Sequence, residues 1–383
     1  MEAAARGEPR PRPGPGPRVL ELYSGIGGMH WALRESCIPA EVIAAIDINT
    51  VANEVYKHNF PSTHLYPKTI EGMTLDDFNR LDFDMILMSP PCQPFTRIGS
   101  QKDVLDPRTK SFLYILDILP RLSKTPKYIL LENVKGFETS VARDKLIQTL
   151  ESCGYNYQEF LLTPTCILEG FPHHERDDWK QSKLPSSDQT LSTGDHTEKL
   201  NNSECGHADN SKCQEMETLI YKLETSGHLE RKLKQNNNLS IQMIQDFLEE
   251  KLQNPSQYLI SPKVLMRYAL VLDIVGLTCR RSVCFTKGYG HYAEGTGSVL
   301  QTASDVELST VFQEFETLSE NEKLAQLSKL KLRYFTPREI ANLHGFPAEF
   351  NFPEKISVKQ SYRLLGNSLN IHVVAKLIEL LVQ

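Results

Sequence analysis

The sequence lacks any apolar run approaching the roughly 20 residues that a helix needs to cross a bilayer, so no membrane span is expected. It also lacks a basic excess: the 383 residues carry 42 Lys and Arg against 48 Asp and Glu, a formal net charge of −6. This balance excludes a protein that is basic over its whole surface. It leaves room for a local basic groove that binds a nucleic acid.

Cysteine is scarce, and its eight residues show no paired short-range spacing, which indicates a reducing compartment. We expect the cytoplasm. No clear basic localisation run is present to separate nuclear from cytoplasmic residence, so the nucleus stays open as a second location. Cys205, His207 and Cys213 lie in a polar stretch, but their spacing does not match a usual zinc site, so no metal is expected. Residues 1–17 are rich in Pro, Arg, Gly and Ala and lack the apolar stretch of a secretory signal, and we expect a disordered tail.

Apolar runs in the N-terminal part of the chain predict buried parallel strands at residues 18–23, 41–48, 83–88 and 128–131. Helical patterns lie between or after these runs, at residues 29–36, 51–59, 111–122 and 142–153. Strands that alternate with helices predict a doubly wound, mostly parallel α/β sheet with right-handed crossovers.

The pattern changes beyond about residue 165. Residues 171–216 are mostly polar and predict a flexible or poorly packed segment. Residues 278–299 are rich in Gly and Tyr and predict loops and short strands. Thr336-Pro337-Arg338-Glu339 has the residues of a capping box and predicts the start of a helix. Further helices are predicted near residues 239–252, 262–272 and 368–381.

The segment Leu22-Tyr23-Ser24-Gly25-Ile26-Gly27-Gly28 follows the first predicted strand and opens the first predicted helix. Its glycines let backbone N–H groups approach a ligand closely, at a helix N-terminus that favours anionic groups. Asp47 ends the second predicted strand about 20 residues further on, where a carboxylate can accept both ribose hydroxyls. A tight turn with a capping Asp is the alternative, but the spacing favours nucleotide binding. Because the turn reads Gly-x-Gly-Gly, S-adenosylmethionine is favoured over a dinucleotide.

Cys92 lies in Ser89-Pro90-Pro91-Cys92-Gln93-Pro94-Phe95, directly after the third predicted strand, where open α/β sheets bind their ligands. The flanking prolines stiffen the loop and would hold the thiol in a fixed direction. A structural cysteine would normally lie inside the apolar run and need no such loop. A nucleophilic cysteine needs a lowered pKa and a partner group, and Glu132 ends the next apolar run. Two strand ends thus place a thiol and a carboxyl over one crevice, which predicts a catalytic pair.

The order of these motifs resembles the cytosine-5 methyltransferase family. Arg333-Tyr334-Phe335-Thr336-Pro337-Arg338-Glu339 and Gly366-Asn367-Ser368-Leu369-Asn370 look like that family's last two motifs. Together with Pro-Pro-Cys-Gln and Glu-Asn-Val they cover residues 18–165 and 255–383. Cys284-Phe285-Thr286-Lys287-Gly288-Tyr289-Gly290 further resembles the recognition region of a small branch. That branch keeps a DNA-methyltransferase-like fold but methylates an anticodon-loop cytosine of aspartate tRNA.

The resemblance implies a Rossmann-like, S-adenosylmethionine-dependent methyltransferase sheet with a smaller target-recognition domain. The implied cofactor is S-adenosylmethionine and the implied partner is aspartate tRNA, with no membrane and no metal. The chain would then begin with a tail at residues 1–17 and a catalytic and cofactor-binding domain at residues 18–165. A polar insert or variant segment would follow at residues 166–238, and a target-recognition domain at residues 239–335. C-terminal helices at residues 336–383 would return to the catalytic domain.

The resemblance also implies the role of each site residue. The thiolate of Cys92 would attack C6 of the cytosine, which makes C5 able to accept a methyl group. Glu132 would hold the N3 and exocyclic-amine edge of the base, which must leave its stack to reach the pocket. The implied cofactor-binding residues are Tyr23, Ile26, Gly27, Gly28, Asp47, Ile70, Glu71, Ser89 and Asn370. The implied substrate-binding residues are Cys284, Phe285, Thr286 and Asn367.

One segment departs from the family. After a strand expected around residues 157–162, the family carries an Arg-x-Arg pair and another apolar strand, whereas Arg176 stands alone in residues 163–179. The pair would contact the target base and steady the nucleophile's loop, and the strand would cover a neighbour in the sheet. We hypothesise that this form, which looks like an alternative splice product, binds cofactor weakly and has little or no methyltransferase activity.

Two other functions fit the same residues. A DNA cytosine-5 methyltransferase would use the same catalytic motifs, which do not separate RNA from DNA. A catalytically impaired RNA-binding isoform would keep the fold but lack the Arg-x-Arg pair.

Overall fold

The computed structural model of the chain describes residues 16–96, 102–164, 226–252, 254–313 and 315–383. Within these ranges, no helix is long and apolar enough to cross a membrane, and no group of three His, Cys, Asp or Glu side chains is arranged to hold a metal. Several expectations fall outside the described residues, namely those on most of the N-terminal tail, on Arg176, and on Cys205, His207 and Cys213.

A five-stranded parallel sheet forms the centre of the larger part of the molecule, in the strand order β3-β2-β1-β4-β5. The strands are β1 Arg18–Leu22, β2 Glu41–Ile46, β3 Leu65–Tyr66, β4 Met85–Met88 and β5 Tyr128–Leu131. A parallel sheet is covered on both faces, so each of its strands is apolar along its whole length. The short apolar runs of the sequence therefore form these strands. The predicted doubly wound α/β fold is therefore confirmed.

Five helices connect the strands of this sheet: α1 Gly28–Glu35, α2 Thr50–Asn59, α3 Leu75–Leu81, α4 Lys110–Ile118 and α5 Val141–Ser152. Side chains alternate between the two faces along β1. Val19 belongs to a hydrophobic cluster with residues of α1 and α2, whereas Leu20 and Leu22 belong to a second cluster with residues of α3, α4 and α5. Burying one such side chain fully stabilises the fold by about 1.5–3 kcal/mol.

A smaller sheet with the order β6-β7-β8 forms the centre of residues 226–335, which we call the recognition region because they contain the segment that resembles a recognition motif. Its apolar residues form a third cluster around Leu265, Val299 and Leu327. The elements are α6 Ser226–Asn236, α7 Pro262–Tyr268, β6 Asp273–Val275, β7 Ser298–Gln301, α8 Leu308–Phe312, α9 Glu320–Lys329 and β8 Leu332–Arg333.

The C-terminal helices return to the large sheet. They are α10 Pro337–Leu343, α11 Val358–Leu365 and α12 Ile371–Val382. The predicted capping box is present at Thr336, whose hydroxyl accepts the Glu339 N–H at 3.1 Å while the Glu339 carboxylate accepts the Thr336 N–H at 2.8 Å. Buried residues of α12, including Ile371 and Val374, join the cluster that holds α1 and α2. The last helix therefore closes one face of the catalytic sheet.

The helix predicted at residues 239–252 is wrong: the structure has only a single 3-10 turn there, Ile244–Phe247. The Ile244 N–H donates to the Cys279 carbonyl at 2.7 Å, and the Gln245 N–H donates to the Leu277 carbonyl at 3.0 Å. These N–H groups are thus bonded to a distant segment, so they are not available for the i to i−4 pattern of an α-helix.

The strand expected around residues 157–162 is also wrong. This stretch has no regular secondary structure, and Leu161 is 62% exposed. In the described part of the chain, β5 is the last strand of its sheet and pairs with β4 alone. Residues 157–162 could form a strand only beside another strand that satisfies their backbone groups. Within the described ranges, no strand lies next to the outer side of β5.

Candidate active site

The Gly-rich turn joins β1 to α1 in the conformation that its glycines were expected to allow. Gly25 and Gly27 have φ angles of 52° and 87°, in the left-handed region that favours glycine. A Cβ atom on Gly27 would lie 2.5 Å from the ring of Phe60, so a larger residue does not fit. Gly27 is the N-cap residue of α1, so the first N–H groups of the helix, which have no partner within it, follow directly after this turn.

Asp47 lies beside this turn at the carboxyl end of β2. Its carboxylate accepts the Gly25 N–H at 2.8 Å and the Asn49 N–H at 2.7 Å. Burial raises the pKa of Asp47, while these backbone hydrogen bonds lower it. The predicted partnership between the loop and the acid is thus a direct contact.

Two further cofactor-binding candidates meet at the same edge of the sheet. The Tyr23 hydroxyl donates to Ser111 Oγ at 3.0 Å, and Ser89 Oγ donates to the Tyr23 carbonyl at 3.5 Å. Burial raises the pKa of Tyr23, and the carboxylates of Glu71 and Asp47 raise it further. Hydrogen bonds thus join Tyr23 to Ser89 and Ser111, and the Glu71 and Asp47 carboxylates are close enough to act on its hydroxyl electrostatically.

The remaining cofactor-binding candidates are Ile26, Gly28, Ile70 and Asn370. Ile26 and Ile70 are buried, each in one of the two clusters that cover the large sheet. A Cβ atom on Gly28 would lie 3.1 Å from Leu369, the residue before Asn370. Asn370 caps α12 by accepting the Val373 N–H at 3.1 Å. The start of the last helix therefore packs against the turn.

The composition of this site fits S-adenosylmethionine. Ser24 Oγ is buried in the turn and has no hydrogen-bond partner within the described ranges. A buried polar atom without a partner indicates a place for a bound polar group. The Asp47 carboxylate suits ribose hydroxyls, and the N–H groups of the turn suit the carboxylate of the methionine part. Ser24 was not singled out from the sequence, because a serine in a turn is too common to predict a ligand contact.

The loop that carries Cys92 is held against the segment after β5. The Asn133 Nδ2 donates to the Pro90 carbonyl at 3.1 Å, and the Glu132 N–H donates to the Met88 carbonyl at 3.0 Å. The Phe95 N–H closes a turn onto the Cys92 carbonyl at 3.0 Å. These bonds place Cys92 and Glu132 at the ends of two neighbouring parallel strands, as the sequence predicted.

Burial sets the protonation of Glu132, and the Glu132 carboxylate in turn affects the thiol of Cys92. Burial raises the pKa of Glu132 from 4.5 to about 7, so the carboxyl is partly protonated near neutrality. Burial also raises the pKa of Cys92, the Glu132 carboxylate raises it further, and the Lys287 ammonium lowers it. The chain without ligands therefore holds Cys92 mainly as a thiol. The lowered pKa that a nucleophile requires has to come from added positive charge or from the substrate.

Gly136 fixes the distance between the two loops, a role that its place after Glu-Asn-Val-Lys did not indicate. Its φ angle is 111°, and a Cβ atom there would lie 2.6 Å from the Phe95 carbonyl oxygen. The adjacent Phe137 ring packs edge-on against Phe95, with ring centroids 5.1 Å apart. The loop of Cys92 thus rests directly on the Gly136 backbone.

Gly136→Ala is expected to destabilise the fold by about 1–3 kcal/mol and to slow alkylation of Cys92, because the new methyl group displaces the Phe95 carbonyl. Thermal unfolding and peptide-resolved alkylation measure the two effects. Gly154→Ala is the matched control, since Gly154 has a φ of 78° but no atom within 4 Å of an added Cβ. Equal effects of both variants on Cys92 alkylation would show that the contact with Phe95 is irrelevant.

The substrate-binding candidates lie where the recognition region meets α11. Phe285 is only 5% exposed and packs against Tyr289 and Phe335 at ring-centroid distances of 5.0 and 5.5 Å. Cys284 and Asn367 are exposed. The Thr286 N–H donates to the Thr296 carbonyl at 2.9 Å. Phe285 thus anchors the segment, and the contact of these residues with a substrate stays a prediction.

Sequence reasoning also missed a buried polar cluster below the turn. Glu21 on β1 is fully buried and accepts hydrogen bonds from the Tyr56 hydroxyl at 2.7 Å and the His30 N–H at 3.3 Å. Burial raises the pKa of Glu21 to about 8 and lowers that of His30 to about 3, so both groups are mainly uncharged near neutrality. The sequence signal for this cluster was Glu21 itself, an acidic residue within the apolar run of β1.

A glycine-rich turn with an acidic partner, beside a cysteine and a carboxyl at adjacent strand ends, is the arrangement of an α/β enzyme fold in which a nucleotide-type cofactor and a cysteine nucleophile would meet at one edge of the sheet. The family described as C-5 cytosine-specific DNA methylase matches residues 17–168 and 179–383. The chain belongs to this family, which confirms the resemblance of its motifs. The unmatched residues 169–178 fall in the segment where the Arg-x-Arg pair was expected.

Individual relatives agree with this assignment. The human protein named tRNA (cytosine(38)-C(5))-methyltransferase is 58% identical, over 95% of this chain and 98% of its own length. The Dictyostelium discoideum protein named DNA (cytosine-5)-methyltransferase is 37% identical, over 95% of this chain and 94% of its own. The crystal structure of S. pombe Dnmt2 methyltransferase superposes with a TM-score of 0.69 at 34% identity, and covers 96% of this chain and 98% of that one.

Proposed function

We propose that the chain methylates C5 of a cytosine in tRNA, at the anticodon loop of aspartate tRNA, with S-adenosylmethionine as the methyl donor. The observation that carries this proposal is the placement of the Cys92 loop and Glu132 at adjacent strand ends, next to the turn that Asp47 contacts. Nucleophile, base-holding carboxyl and cofactor turn thus line the same edge of one sheet.

The chemistry follows from the protonation states of the two groups. The Cys92 sulfur forms a bond to C6 after the thiol has lost its proton, and the electron pair of the C5–C6 double bond becomes available at C5. Glu132, with a pKa near 7, can supply a proton to N3 as negative charge develops on the ring. Bound S-adenosylmethionine supplies an electrophilic methyl group. The C5 proton then passes to a solvent base, the N3 proton returns to Glu132, and the C6–S bond breaks to release the Cys92 thiolate and restore the C5–C6 double bond.

Asp47→Asn is expected to weaken S-adenosylmethionine binding by about ten- to a hundredfold, because the charged acceptor for the ribose and for the Gly25 N–H is lost. Isothermal titration calorimetry measures the change. Asp76→Asn, on the exposed side of α3, is the matched control and should bind as the unchanged chain does. Equal affinities of both variants would remove Asp47 from the cofactor site.

The names of the relatives favour tRNA over DNA. The human relative at 58% identity is named for cytosine 38 of tRNA, whereas the relative named for DNA is 37% identical. A test with labelled S-adenosylmethionine compares aspartate tRNA, a second tRNA and duplex DNA under single-turnover conditions. Label in aspartate tRNA alone, mapped to one anticodon-loop cytosine, supports the proposal. Faster labelling of duplex DNA would overturn it in favour of the DNA alternative.

We further propose that turnover is low, because Arg176 stands alone where the family carries an Arg-x-Arg pair. The open outer edge of β5 within the described ranges is consistent with a missing strand. The experiment compares this chain with a version in which residues 166–179 are replaced by a family segment that contains the pair. Tighter cofactor binding and faster methylation by the replaced version support the hypothesis. Equal rates would contradict it, and binding of tRNA without any methylation by either version would favour an RNA-binding isoform.

A further inference from the structure

An exposed aromatic pair, Tyr292 and His291, lies directly after the segment that resembles a recognition motif. Tyr292 is 63% exposed, more than any other Phe, Tyr or Trp in the described part of the chain. His291 is also exposed, and the two rings meet edge-on, with centroids 4.6 Å apart and an angle of 64° between their planes. A tyrosine ring provides a large apolar surface, so an uncovered ring marks a place where a partner can bind.

A hydrogen-bonded turn fixes the backbone beneath the exposed aromatic pair. The N–H groups of His291 and Tyr292 both donate to the Gly288 carbonyl, at 3.0 and 2.9 Å. The Thr296 hydroxyl donates to the Tyr292 carbonyl at 2.8 Å. A Cβ atom on Gly288 would lie 3.0 Å from the Tyr292 ring, so one side of the ring packs along the Gly288 backbone. The ring is thus held in place in the free chain, and little conformational entropy is lost when a partner covers its exposed side.

Direct backbone contacts join this turn to the cofactor site. A Cβ atom on Gly366, at the end of α11, would overlap the carbonyl carbon of Thr286, so the backbones of these two residues lie against each other. Three residues after Gly366, Leu369 would lie 3.1 Å from a Cβ atom on Gly28 in the cofactor turn. Residues 366–369 therefore contact the recognition region at one end and the cofactor turn at the other. The exposed aromatic pair is thus attached to the edge of the large sheet where the cofactor turn lies.

The surroundings of the exposed aromatic pair suit an unpaired nucleic-acid base better than a protein partner. The nearby Lys287 and Glu294 side chains are exposed and charged, and Ala293 is half-buried, so the ring does not belong to a wider apolar patch. The core of a protein interface needs several apolar side chains together. An unpaired base, in contrast, stacks on a single aromatic ring. The bases of a duplex are already stacked on each other and offer no free face.

We propose that Tyr292 stacks on an unpaired base of the tRNA loop, and that His291 supports the tyrosine ring from its edge. The stacked base differs from the cytosine that is methylated, because that cytosine has to reach Cys92 and Glu132. Tyr292 then positions the loop and takes no part in bond formation. This inference rests on tRNA as the substrate of the proposed function.

Fluorescence anisotropy of the full chain with the anticodon stem-loop of aspartate tRNA tests the proposal. We expect Tyr292→Ala to weaken binding about five- to fiftyfold, and Tyr292→Phe to restore most of the affinity, because a base stacks on either ring. A version of the RNA in which the loop is closed into a continuous duplex should bind Tyr292→Ala and the unchanged chain alike. Tyr157→Ala, which removes an exposed tyrosine outside the recognition region, is the matched control.

Two further measurements separate stacking from charge and locate the base. Stacking involves no phosphate, so Tyr292→Ala should leave the dependence of affinity on salt concentration unchanged. An abasic residue is then placed at each loop position in turn. At one position only, it should weaken binding by the unchanged chain and have no further effect on Tyr292→Ala, since each change removes the same contact.

The outcomes distinguish this inference from the proposed function. Binding by Tyr292→Ala at the affinity of Tyr157→Ala would overturn the stacking, and so would a loss in Tyr292→Phe as large as that in Tyr292→Ala. Circular dichroism confirms that each variant is folded. Weaker loop binding by Tyr292→Ala, in a chain that transfers no methyl group to tRNA, would contradict the proposed function and leave the stacking supported. Methylation of tRNA with the same KM by Tyr292→Ala and the unchanged chain would contradict the stacking alone.

Discussion

Cys92→Ala is expected to abolish the covalent complex that the chain forms with tRNA containing 5-fluorocytosine. In the unchanged chain the Cys92 sulfur adds to C6 and C5 is methylated, but fluorine cannot leave C5 as a proton would, so the adduct accumulates even when turnover is slow. Alanine has no group that can form the bond, and removal of a nucleophile costs at least about a thousandfold in rate. The adduct is measured as a slower band on a denaturing gel and by mass spectrometry of the Cys92 peptide.

The control for this prediction is Cys37→Ala, which removes a different, exposed thiol and should leave the adduct unchanged. Persistence of the adduct in Cys92→Ala would assign the nucleophile to another residue. Absence of the adduct in the unchanged chain, together with measurable tRNA binding, would instead favour the catalytically impaired RNA-binding isoform.

Glu132→Gln is expected to change two measured rates in opposite directions. Methyl transfer should fall by about 10²–10⁴-fold, because glutamine cannot supply a proton to N3. Alkylation of Cys92 above pH 7 should become about two- to fivefold faster, because the variant lacks the carboxylate that raises the pKa of the thiol. A variant that is merely misfolded would lower methyl transfer without accelerating alkylation in this pH-dependent way.

The same variant should alter the pH dependence of stability. The pKa of Glu132 is about 7 in the folded chain, above its ordinary value of 4.5. Its contribution to the free energy of unfolding is therefore fully present below pH 4.5 and is lost as the pH rises through about 7. Glu132→Gln should lack this loss, which chemical denaturation at several pH values measures. Glu151→Gln, exposed at the end of α5, is the control, and identical pH profiles for both variants would contradict the buried-carboxyl explanation.

The sequence predicted the catalytic pair because strand ends can be located from apolar runs, and parallel strands end at the same edge of a sheet. Cys92 and Glu132 each follow such a run, so their proximity required no knowledge of side-chain packing. The contact between Asp47 and the turn was predictable for the same reason. In contrast, the predicted strand at residues 157–162 was wrong, because a strand forms only next to another strand and the described ranges provide none there. The predicted helix at residues 239–252 was wrong because backbone N–H groups in this stretch donate to the distant segment at residues 277–279.

The sequence by itself determined the doubly wound sheet, the cofactor turn and the two catalytic candidates, since local patterns and strand order suffice for these features. Only the tertiary structure decided the protonation states of the pair, because the pKa of Glu132 depends on its burial and the pKa of Cys92 depends on burial and on the neighbouring Glu132 carboxylate. It also decided the role of Gly136, where an added Cβ atom would collide with the Phe95 carbonyl oxygen of a distant segment. Such contacts join residues far apart along the chain, and no local pattern records them.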